Sequence, residues 1–341
     1  MAHKSTEKDP YVQLTESIKA NTLEQCYIFH GPERYLLERG IAELRASICP
    51  DGVSSFNYRR YEGDSFSVKE FKDAVNTFPM FAEKTLTEVH DFNIFAGSHA
   101  AEIRDILSDL PDFVCVVFSY DTLAYKPDKR LKDTKEILKH ARVFEFVPQD
   151  GQKLVKWIIR HFESVGCTIT PADAEHLAFI TGGLMTNLVG EIEKVAAYSN
   201  FSSITKKDID DVVTPTLDTI SFNLTDALLA RNHKKAFRLL DELFQMREAP
   251  HMLIASISKT MRRLLAARIC LDHKVSQQDF MKMCSIYHNF QATKLLNAAR
   301  QSTLEYCKKA TQACAATAQE LNSMREPESR LIELLTKLAT V

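Results

Sequence analysis

The chain has 341 residues, of which 45% are hydrophobic and 26% are charged, and its formal net charge is −2 at pH 7. This length exceeds what one ordinary hydrophobic core accommodates, so the composition predicts a soluble globular protein of two or three domains. A chain so close to neutral excludes a whole-molecule basic field as the basis of nucleic-acid binding, although it leaves room for local basic patches.

The eight cysteines are far apart and form neither a C-x-x-C pair nor a cluster with zinc spacing. Most lie in apolar stretches, so we expect reduced core thiols in a reducing cytoplasm. The polar N-terminus lacks the apolar segment of a signal peptide, and no run approaches the roughly 18 apolar residues of a membrane span. These features predict a cytoplasmic protein without a metal or other cofactor. The cysteines are Cys26, Cys49, Cys115, Cys167, Cys270, Cys284, Cys307 and Cys314.

Residues 1–9 are predicted to form a disordered tail, and residues 10–150 an α/β domain. After a short helix at 10–20, strand-like and helix-like segments alternate, which favours βαβ units and a parallel sheet. The apolar run FVCVVF is typical of a strand buried on both faces. The candidate strands are Tyr27–His30, Asn57–Tyr61, Thr85–Phe92, Phe113–Tyr120 and Val143–Val147. The candidate helices are Glu33–Cys49, Val68–Asn76, Ala100–Leu110 and Lys129–His140.

Breaker residues at 148–151 indicate the end of this domain, and strand signals nearly vanish beyond them. Residues 151–215 are predicted to form a small helical domain. Residues 216–341 follow a second break and show long helical patterns, so we expect an all-α third domain. The candidate helices are 152–165, 187–199, 218–230, 234–247, 250–273, 276–283, 289–300, 302–324 and 328–339, with further helix starts at Thr170 and Thr205.

A strand, a glycine and a helix at 26–49 form the frame of a nucleotide-binding domain, but the phosphate-binding residues are missing. A phosphate loop would place a second glycine, a lysine and a serine or threonine five, six and seven residues after Gly31. Those positions hold Leu36, Leu37 and Glu38. Neither an apolar nor an acidic side chain neutralises a phosphate group. Asp91 stands where a magnesium-binding aspartate would be, yet Phe92 follows it in place of a second carboxylate, so we expect no nucleotide cofactor.

An apolar cluster at 77–82 is the strongest candidate for an interaction site. Its large side chains crowd around a proline between a predicted helix and a predicted strand. They are Phe78, Met80 and Phe81, with Pro79 among them. These side chains are either buried beneath the sheet or exposed as a knob, and exposed apolar clusters usually mark partner sites. In a partner pocket, Met80 and Phe81 would each contribute roughly 1.5–3 kcal/mol before the costs of association.

Two segments are rich in basic residues, and each has two interpretations. Lys126–Lys139 also carries acidic residues, a pattern more typical of a solvated helix face than of a phosphate site. Lys259, Arg262 and Arg263 flank apolar positions of one helix, which fits either a wet face beside a helical interface or a helix close to DNA. A lone His30 at the end of the first strand is interpreted as structural rather than catalytic.

Four segments, in their order and spacing, resemble the family of delta subunits of the bacterial DNA polymerase III clamp loader. The first is the strand and glycine turn YIFHGPERYL, and the second is FPMFAEKTL, similar to the family's clamp-contact segment. The third is GEIEKV, close to the family signature NEIEKL, and the fourth is the basic–leucine sequence MRRLL. They occupy residues 27–36, 78–86, 190–195 and 261–265. Each segment alone is weak, but the resemblance spans nearly the whole chain.

The resemblance implies an AAA+-like parallel-sheet domain with a degenerate phosphate loop, a small helical lid domain and a helical collar domain that joins a five-subunit ring. It implies the sliding clamp (the beta subunit) as a partner. Other implied partners are the gamma or tau and delta-prime subunits and primed DNA, within the DNA polymerase III holoenzyme. The family's leucine–phenylalanine pair that contacts the clamp falls on Met80 and Phe81, with Phe78 and Pro79 in support.

The sequence departs from the family pattern at several positions. Met80 replaces the usual leucine, and because methionine is similarly long and apolar, it should still fill an apolar pocket. Gly190 and Val195 replace the first and last residues of the signature, an asparagine and a leucine. Asn322 and Arg325 stand where an aspartate and a lysine are usual. These changes bear on individual polar contacts rather than on the overall plan.

The leading hypothesis is a non-catalytic subunit that binds and opens a clamp ring for loading onto primed DNA. One alternative is an active AAA+ ATPase subunit of the same superfamily, which ATP binding by the isolated chain would favour. The other alternative is a cytosolic helical scaffold protein built on a decayed NTPase domain. Co-purification with ATPase partners in a defined stoichiometry would separate a clamp loader subunit from such a scaffold.

Overall fold

The structure, a computed structural model, describes residues 9–50, 54–149, 151–286, 289–321 and 327–340. The chain divides into two compact units, and the division falls between Pro148 and Gln149. The predicted tail lies outside the described residues except for Asp9, whose side chain caps the first helix by accepting a hydrogen bond from the Tyr11 N–H. Asn322 and Arg325 also lie outside them.

The first unit contains a parallel sheet of five strands in the order β2-β3-β4-β1-β5. All seven residues of β4 are buried, as its apolar sequence predicts. The strands are β1 (Cys26–His30), β2 (Tyr58–Glu62), β3 (Thr85–His90), β4 (Val114–Tyr120) and β5 (Arg142–Glu145). The helices are α1 (Pro10–Lys19), α2 (Arg34–Ile48), α3 (Ser54–Asn57), α4 (Val68–Val75), α5 (His99–Ser108) and α6 (Lys132–His140).

Both faces of this sheet carry a hydrophobic core. On β1, Cys26 and Ile28 belong to the core that also holds Phe71 and Phe118. The alternate residues point to the other face, where the Phe29 ring lies 5.1 Å from the Phe146 ring. Because both faces of the sheet are covered at its centre, the central strand β4 is buried along its whole length, whereas β2 at the edge is partly exposed. The predicted α/β class of this unit is confirmed.

All five predicted strands and all five predicted helices of the first unit, including the short helix at 10–20, exist with shifted ends. β3 ends at His90 and not at Phe92, because Asp91 takes a left-handed backbone conformation with φ 50° that leaves the strand. Asn57, predicted to begin the second strand, instead ends the short helix α3. The fifth strand is Arg142–Glu145 rather than 143–147.

The second unit is largely helical. Its helices are α7 (Gly151–Ser164), α8 (Pro171–Ile180), α9 (Met185–Tyr198), α10 (Lys206–Val212), α11 (Leu217–Leu229), α12 (His233–Gln245), α13 (Pro250–Asp272), α14 (Gln277–Met283), α15 (Asn289–Arg300), α16 (Leu304–Leu321) and α17 (Pro327–Thr340). The predicted helix starts are confirmed, since the side chains of Thr170 and Thr205 each accept a hydrogen bond from a backbone N–H in the first turn. The long helix α13 packs against α11, α15 and α16, and one large core joins α11 to α17.

Two short parallel strands, β6 (Thr168–Ile169) and β7 (Ser203–Ile204), are present in the second unit and were not predicted. Two residues are too few to produce a hydrophobic period, so a pattern search does not detect such strands. The division of this unit into a domain at 151–215 and a domain at 216–341 stays a prediction. No helix among the described residues is long and apolar enough to cross a lipid bilayer.

Candidate partner-binding site

The segment between α4 and β3, residues 76–84, exposes the apolar cluster; we call it the apolar connection. Its side chains are well outside the core: 85% of Phe81, 75% of Phe78 and 48% of Met80 are accessible to solvent. Phe78 keeps one contact with the sheet domain, because its ring lies 5.0 Å from the ring of Phe113. Of the two sequence interpretations, the structure shows the exposed cluster and not the buried one.

The backbone of the apolar connection is held by a side chain from far along the sequence. The Asn57 amide nitrogen donates a hydrogen bond of 2.6 Å to the Met80 carbonyl, and its carbonyl oxygen accepts one of 2.7 Å from the Met80 N–H. Asn57 is almost completely buried, whereas its neighbour Phe56 is exposed. The sequence pattern missed Asn57, because the pair is 23 residues apart and no local motif connects the two.

The strand order shows at which end of the sheet the apolar connection lies. β2 and β3 are parallel neighbours, and Asn57 directly precedes β2 while the apolar connection directly precedes β3. Both therefore lie at the amino ends of their strands. A phosphate loop would follow the carboxyl end of β1 at Gly31, which is the opposite edge of the same sheet.

At the positions where a phosphate loop would carry its second glycine and its lysine, the structure has leucines that belong to the core. Leu36 and Leu37 are buried in the first turn of α2, and Glu38 is exposed. Gly31 has φ 128°, and a Cβ atom there would lie 2.2 Å from the Phe146 carbonyl oxygen. Only glycine fits at this turn, because the backbone that follows β5 lies so close to it. This steric requirement does not involve a phosphate group.

The carboxyl edge of the sheet is occupied by contacts of the chain with itself. The Asp91 carboxylate accepts hydrogen bonds from the N–H groups of Asp121, Thr122 and Leu123, at 2.7–3.1 Å. Burial would raise the pKa of Asp91, but a hydrogen bond from the Thr122 hydroxyl, together with these backbone bonds, leaves that pKa below its usual value. The Asp91 carboxylate therefore fixes the turn after β4, so the residue that stands where a magnesium-binding aspartate would be has a structural role.

Two more contacts close this edge. The His30 ring stacks on Tyr125 with 4.0 Å between ring centroids, and burial lowers the pKa of His30. Arg34 at the start of α2 forms an ion pair with Asp121. The structural interpretation of His30 fits this packing. Within the described ranges, no group of three or more histidine, cysteine or acidic side chains could hold a metal ion.

Comparison with known proteins gives the family. The sequence model of the family described as "DNA polymerase III, delta subunit" matches residues 27–147, and that of its C-terminal domain matches residues 218–337. The chain belongs to the DNA polymerase III delta subunit family. The resemblance found in the sequence is thereby confirmed.

Individual relatives agree over most of the chain. The DNA polymerase III subunit delta of Bacillus subtilis is 22% identical over 326 residues, which are 94% of each protein. A probable DNA polymerase III subunit delta of Aquifex aeolicus is 20% identical and covers 83% of this chain and 81% of its own length. The solved structure of the Bacillus subtilis DNA clamp loader delta protein superposes with a TM-score of 0.62 at 19% identity, over 97% of this chain and 100% of that one. At this identity the structural likeness establishes the fold.

The three basic residues suggested as DNA-proximal in this delta-family chain have different environments on α13. Lys259 forms an ion pair with Asp218, and Arg263 donates hydrogen bonds of 3.2 Å to the carbonyl oxygens of Cys284 and Ser285. Arg262 is exposed. Lys259 and Arg263 thus have contacts that stabilise the second unit, and proximity to DNA stays a prediction for all three.

The described residues of Lys126–Lys139 show the expected mixture of paired and exposed charges. Asp128 pairs with Arg130, Glu136 pairs with Lys139, and Asp133 pairs with Arg104 of the neighbouring helix α5. The solvated-face interpretation is consistent with this arrangement. All eight cysteines are free thiols, and seven of them are buried.

Proposed function

We propose that this chain is the clamp loader subunit that binds a sliding clamp and opens its ring, so that the ring can be loaded onto primed DNA. The observation that carries the proposal is that Phe78, Met80 and Phe81 are exposed together on the apolar connection of a member of the delta family. A soluble domain does not leave three large apolar side chains exposed together without a use for them, and partner binding is the usual one.

Two of these side chains are suited to act as anchors. Met80 and Phe81 project from adjacent positions, and aromatic and flexible apolar side chains are common at the energetic centre of protein interfaces. Filling a partner pocket would stabilise the complex by roughly 1.5–3 kcal/mol for each side chain, before association costs. Phe78, whose ring lies against Phe113 of the sheet domain, would support the pair, as would Pro79 between them.

Opening of the ring needs no chemistry in this chain. A protein that binds the open ring better than the closed ring shifts the population toward the open form. A shift from 1:99 to 99:1 requires about 5.5 kcal/mol of preference. Two apolar anchors approach that value if both engage only the open ring, and contacts around them supply the rest.

ATP hydrolysis would belong to the gamma or tau subunits of the ring, with delta-prime as the other non-identical member. Leu37 in place of the phosphate-loop lysine, and the structural use of Asp91, support a chain without catalytic activity of its own. In this arrangement the nucleotide state of the neighbouring subunits would expose or hide the apolar connection. The chain would act only as part of the DNA polymerase III holoenzyme.

The test is binding of the purified chain to the bacterial sliding clamp. In the double variant Met80→Ala, Phe81→Ala, we expect the affinity to fall about 100-fold or more, because two hot-spot side chains are truncated together. Surface plasmon resonance with immobilised clamp measures the dissociation constants, and circular dichroism confirms that the variant is folded.

The matched control is Phe201→Ala in the second unit. Phe201 is also an exposed phenylalanine, at 59% accessibility, and it also has a left-handed backbone, with φ 55° against 58° for Phe81. Its truncation should leave clamp affinity unchanged. Equal affinity of the double variant and the unchanged protein would contradict the assignment of the site.

A further inference from the structure

The contact between Asn57 and Met80 is unusual in its geometry. One side-chain amide satisfies both backbone groups of a single residue, at 2.6 Å and 2.7 Å. The amide is 1% exposed, although the residue that it holds is half exposed. A buried amide that satisfies both backbone groups of one residue restricts the positions that the loop backbone can take.

The apolar connection has little else to fix its backbone. Among the described residues, the two bonds to Asn57 are the only hydrogen bonds made by backbone groups of residues 78–84. Phe81, the next residue, has φ 58°, a left-handed conformation that a bulky side chain adopts only where its surroundings impose it. Asn57 thus holds the backbone at Met80, immediately before the left-handed residue Phe81.

Asn57 is itself attached to the interior of the first unit. The next residue, Tyr58, begins β2, and its hydroxyl donates a hydrogen bond of 2.9 Å to the buried carboxylate of Glu88. Glu88 also accepts two hydrogen bonds from Arg45 of α2, at 3.0 Å and 2.7 Å. The amide that holds Met80 therefore extends from the start of a strand that is bonded into the sheet domain, and not from a second loop.

We propose that Asn57 is a positioning residue that presets the apolar connection for its protein partner. This inference rests on the proposed function, because the partner is the clamp ring. A connection that is already in its binding shape has less conformational freedom to lose on association, so its partner binds more tightly. Asn57 makes no contact with the partner in this account and acts through Met80.

The test compares Asn57→Ala with Asn57→Ser. The alanine variant loses both bonds, and we expect clamp affinity to fall about tenfold, since the two hydrogen bonds no longer preset the loop. The serine variant keeps an uncharged hydroxyl that can donate or accept a hydrogen bond on a shorter side chain, so its affinity should be intermediate. Asn76→Ala is the matched control, because the Asn76 amide, in the same connection, donates to Lys72 of its own helix and not to Met80.

Hydrogen exchange of the Met80 amide in the free chain is the readout that separates positioning from a general loss of stability. In Asn57→Ala we expect this amide to exchange at least tenfold faster, while amides of β4 exchange as in the unchanged protein. In the control, neither exchange at Met80 nor clamp affinity should change. The proposal would be overturned if both Asn57 variants kept the clamp affinity and the Met80 amide exchange rate of the unchanged protein.

The two proposals can fail separately. If the unchanged protein does not bind the clamp, or if the Met80→Ala, Phe81→Ala variant binds it equally well, the proposed function is wrong. If that double variant loses binding while Asn57→Ala binds like the unchanged protein, the proposed function stands and the positioning role is wrong. Should Asn57→Ala fail to fold, the clamp affinity and the Met80 exchange of the serine variant decide whether Asn57 has a positioning role.

Discussion

Gly31 illustrates how a motif residue can persist for a reason unrelated to its motif. Its φ of 128° is strained for any residue with a Cβ atom, and that atom would lie 2.2 Å from the Phe146 carbonyl oxygen. The left-handed backbone and the close oxygen both result from the packing of the turn after β1 against the backbone at Phe146, just after β5. The sequence suggested the glycine of a phosphate loop, whereas the structure supplies a steric requirement that does not involve a ligand.

We therefore predict that Gly31→Ala destabilises the first unit strongly. The backbone strain alone should lower the free energy of unfolding by about 1–3 kcal/mol, and the clash with a backbone oxygen adds to this loss. Chemical denaturation followed by circular dichroism measures the change.

Gly190→Ala provides the matched comparison. Gly190 lies inside α9, and a Cβ atom there would meet nothing within 4 Å. Alanine should raise the free energy of unfolding of the second unit by roughly 0.5–1 kcal/mol, because glycine is the poorer helix former. Equal effects of the two substitutions would mean that the geometry at Gly31 is not the constraint described here.

At the level of elements, a buried polar network joins α2 to strands β2 and β3. The Glu88 carboxylate is fully buried and accepts hydrogen bonds from Arg45 and Tyr58, while His90 lies 3.1 Å away. Burial alone would raise the pKa of Glu88, but the hydrogen bonds from His90, Arg45 and Tyr58 lower it below its usual value. The carboxylate is therefore charged in the folded protein, and Arg45 compensates that charge.

This network predicts that Arg45→Met destabilises the first unit by about 3–5 kcal/mol at neutral pH, because a buried charge loses its partner. A depressed pKa means that Glu88 contributes stability above its unfolded-state pKa and loses that contribution as pH falls through its folded-state pKa. In the variant the pKa of Glu88 should rise instead. The difference in unfolding free energy between the two proteins should then narrow as the pH is lowered from 7 toward about 4.

Arg39→Met on the same helix is the control for this prediction. Arg39 pairs with Glu43 four residues later, and both side chains are partly exposed. A surface pair of this kind contributes only about 0.3–0.5 kcal/mol, so its loss should be small. If Arg45→Met lowered the free energy of unfolding by an equally small amount, or by an amount that does not change with pH, Glu88 would not be held as a buried charge.

The sequence predicted the elements with a strong hydrophobic period and missed those without one. β4 and α13 follow directly from their apolar residues, whereas β6 and β7 have two residues each. The residues of the apolar connection were identified, but their exposure could not be derived, because the same pattern describes a buried loop. The role of Asn57 depends on a contact across 23 residues, which no local pattern encodes.

For the whole molecule, the important relation is between the two edges of the parallel sheet. The apolar connection lies at the amino end of β3, and the glycine turn, where a phosphate loop would lie, is at the carboxyl end of β1. A strand of six residues separates such edges by roughly 20 Å. Leucines in the core at one edge therefore leave the proposed partner site on the opposite edge undisturbed.

The same relation gives a prediction that separates a non-catalytic subunit from an active ATPase. With Leu36 and Leu37 in the core and Asp91 bonded to the turn after β4, Mg²⁺–ATP should leave the melting temperature of the isolated chain unchanged to within about 1 °C. A ligand at 100 times its dissociation constant would instead add about 2.7 kcal/mol, equivalent to several degrees.

Differential scanning calorimetry at millimolar ATP or ADP measures this shift, and an ATPase with an intact phosphate loop serves as the positive control. Leu37→Lys is the informative variant. Lysine restores the missing charge, but position 37 is buried in the first turn of α2, so the charged side chain has to turn out of the core. Glu38 also still stands in place of the serine or threonine. We expect this variant to lose stability without gaining nucleotide affinity. A saturable rise in melting temperature with ATP in the unchanged chain would favour the ATPase alternative and would oppose a subunit that works through its apolar connection alone.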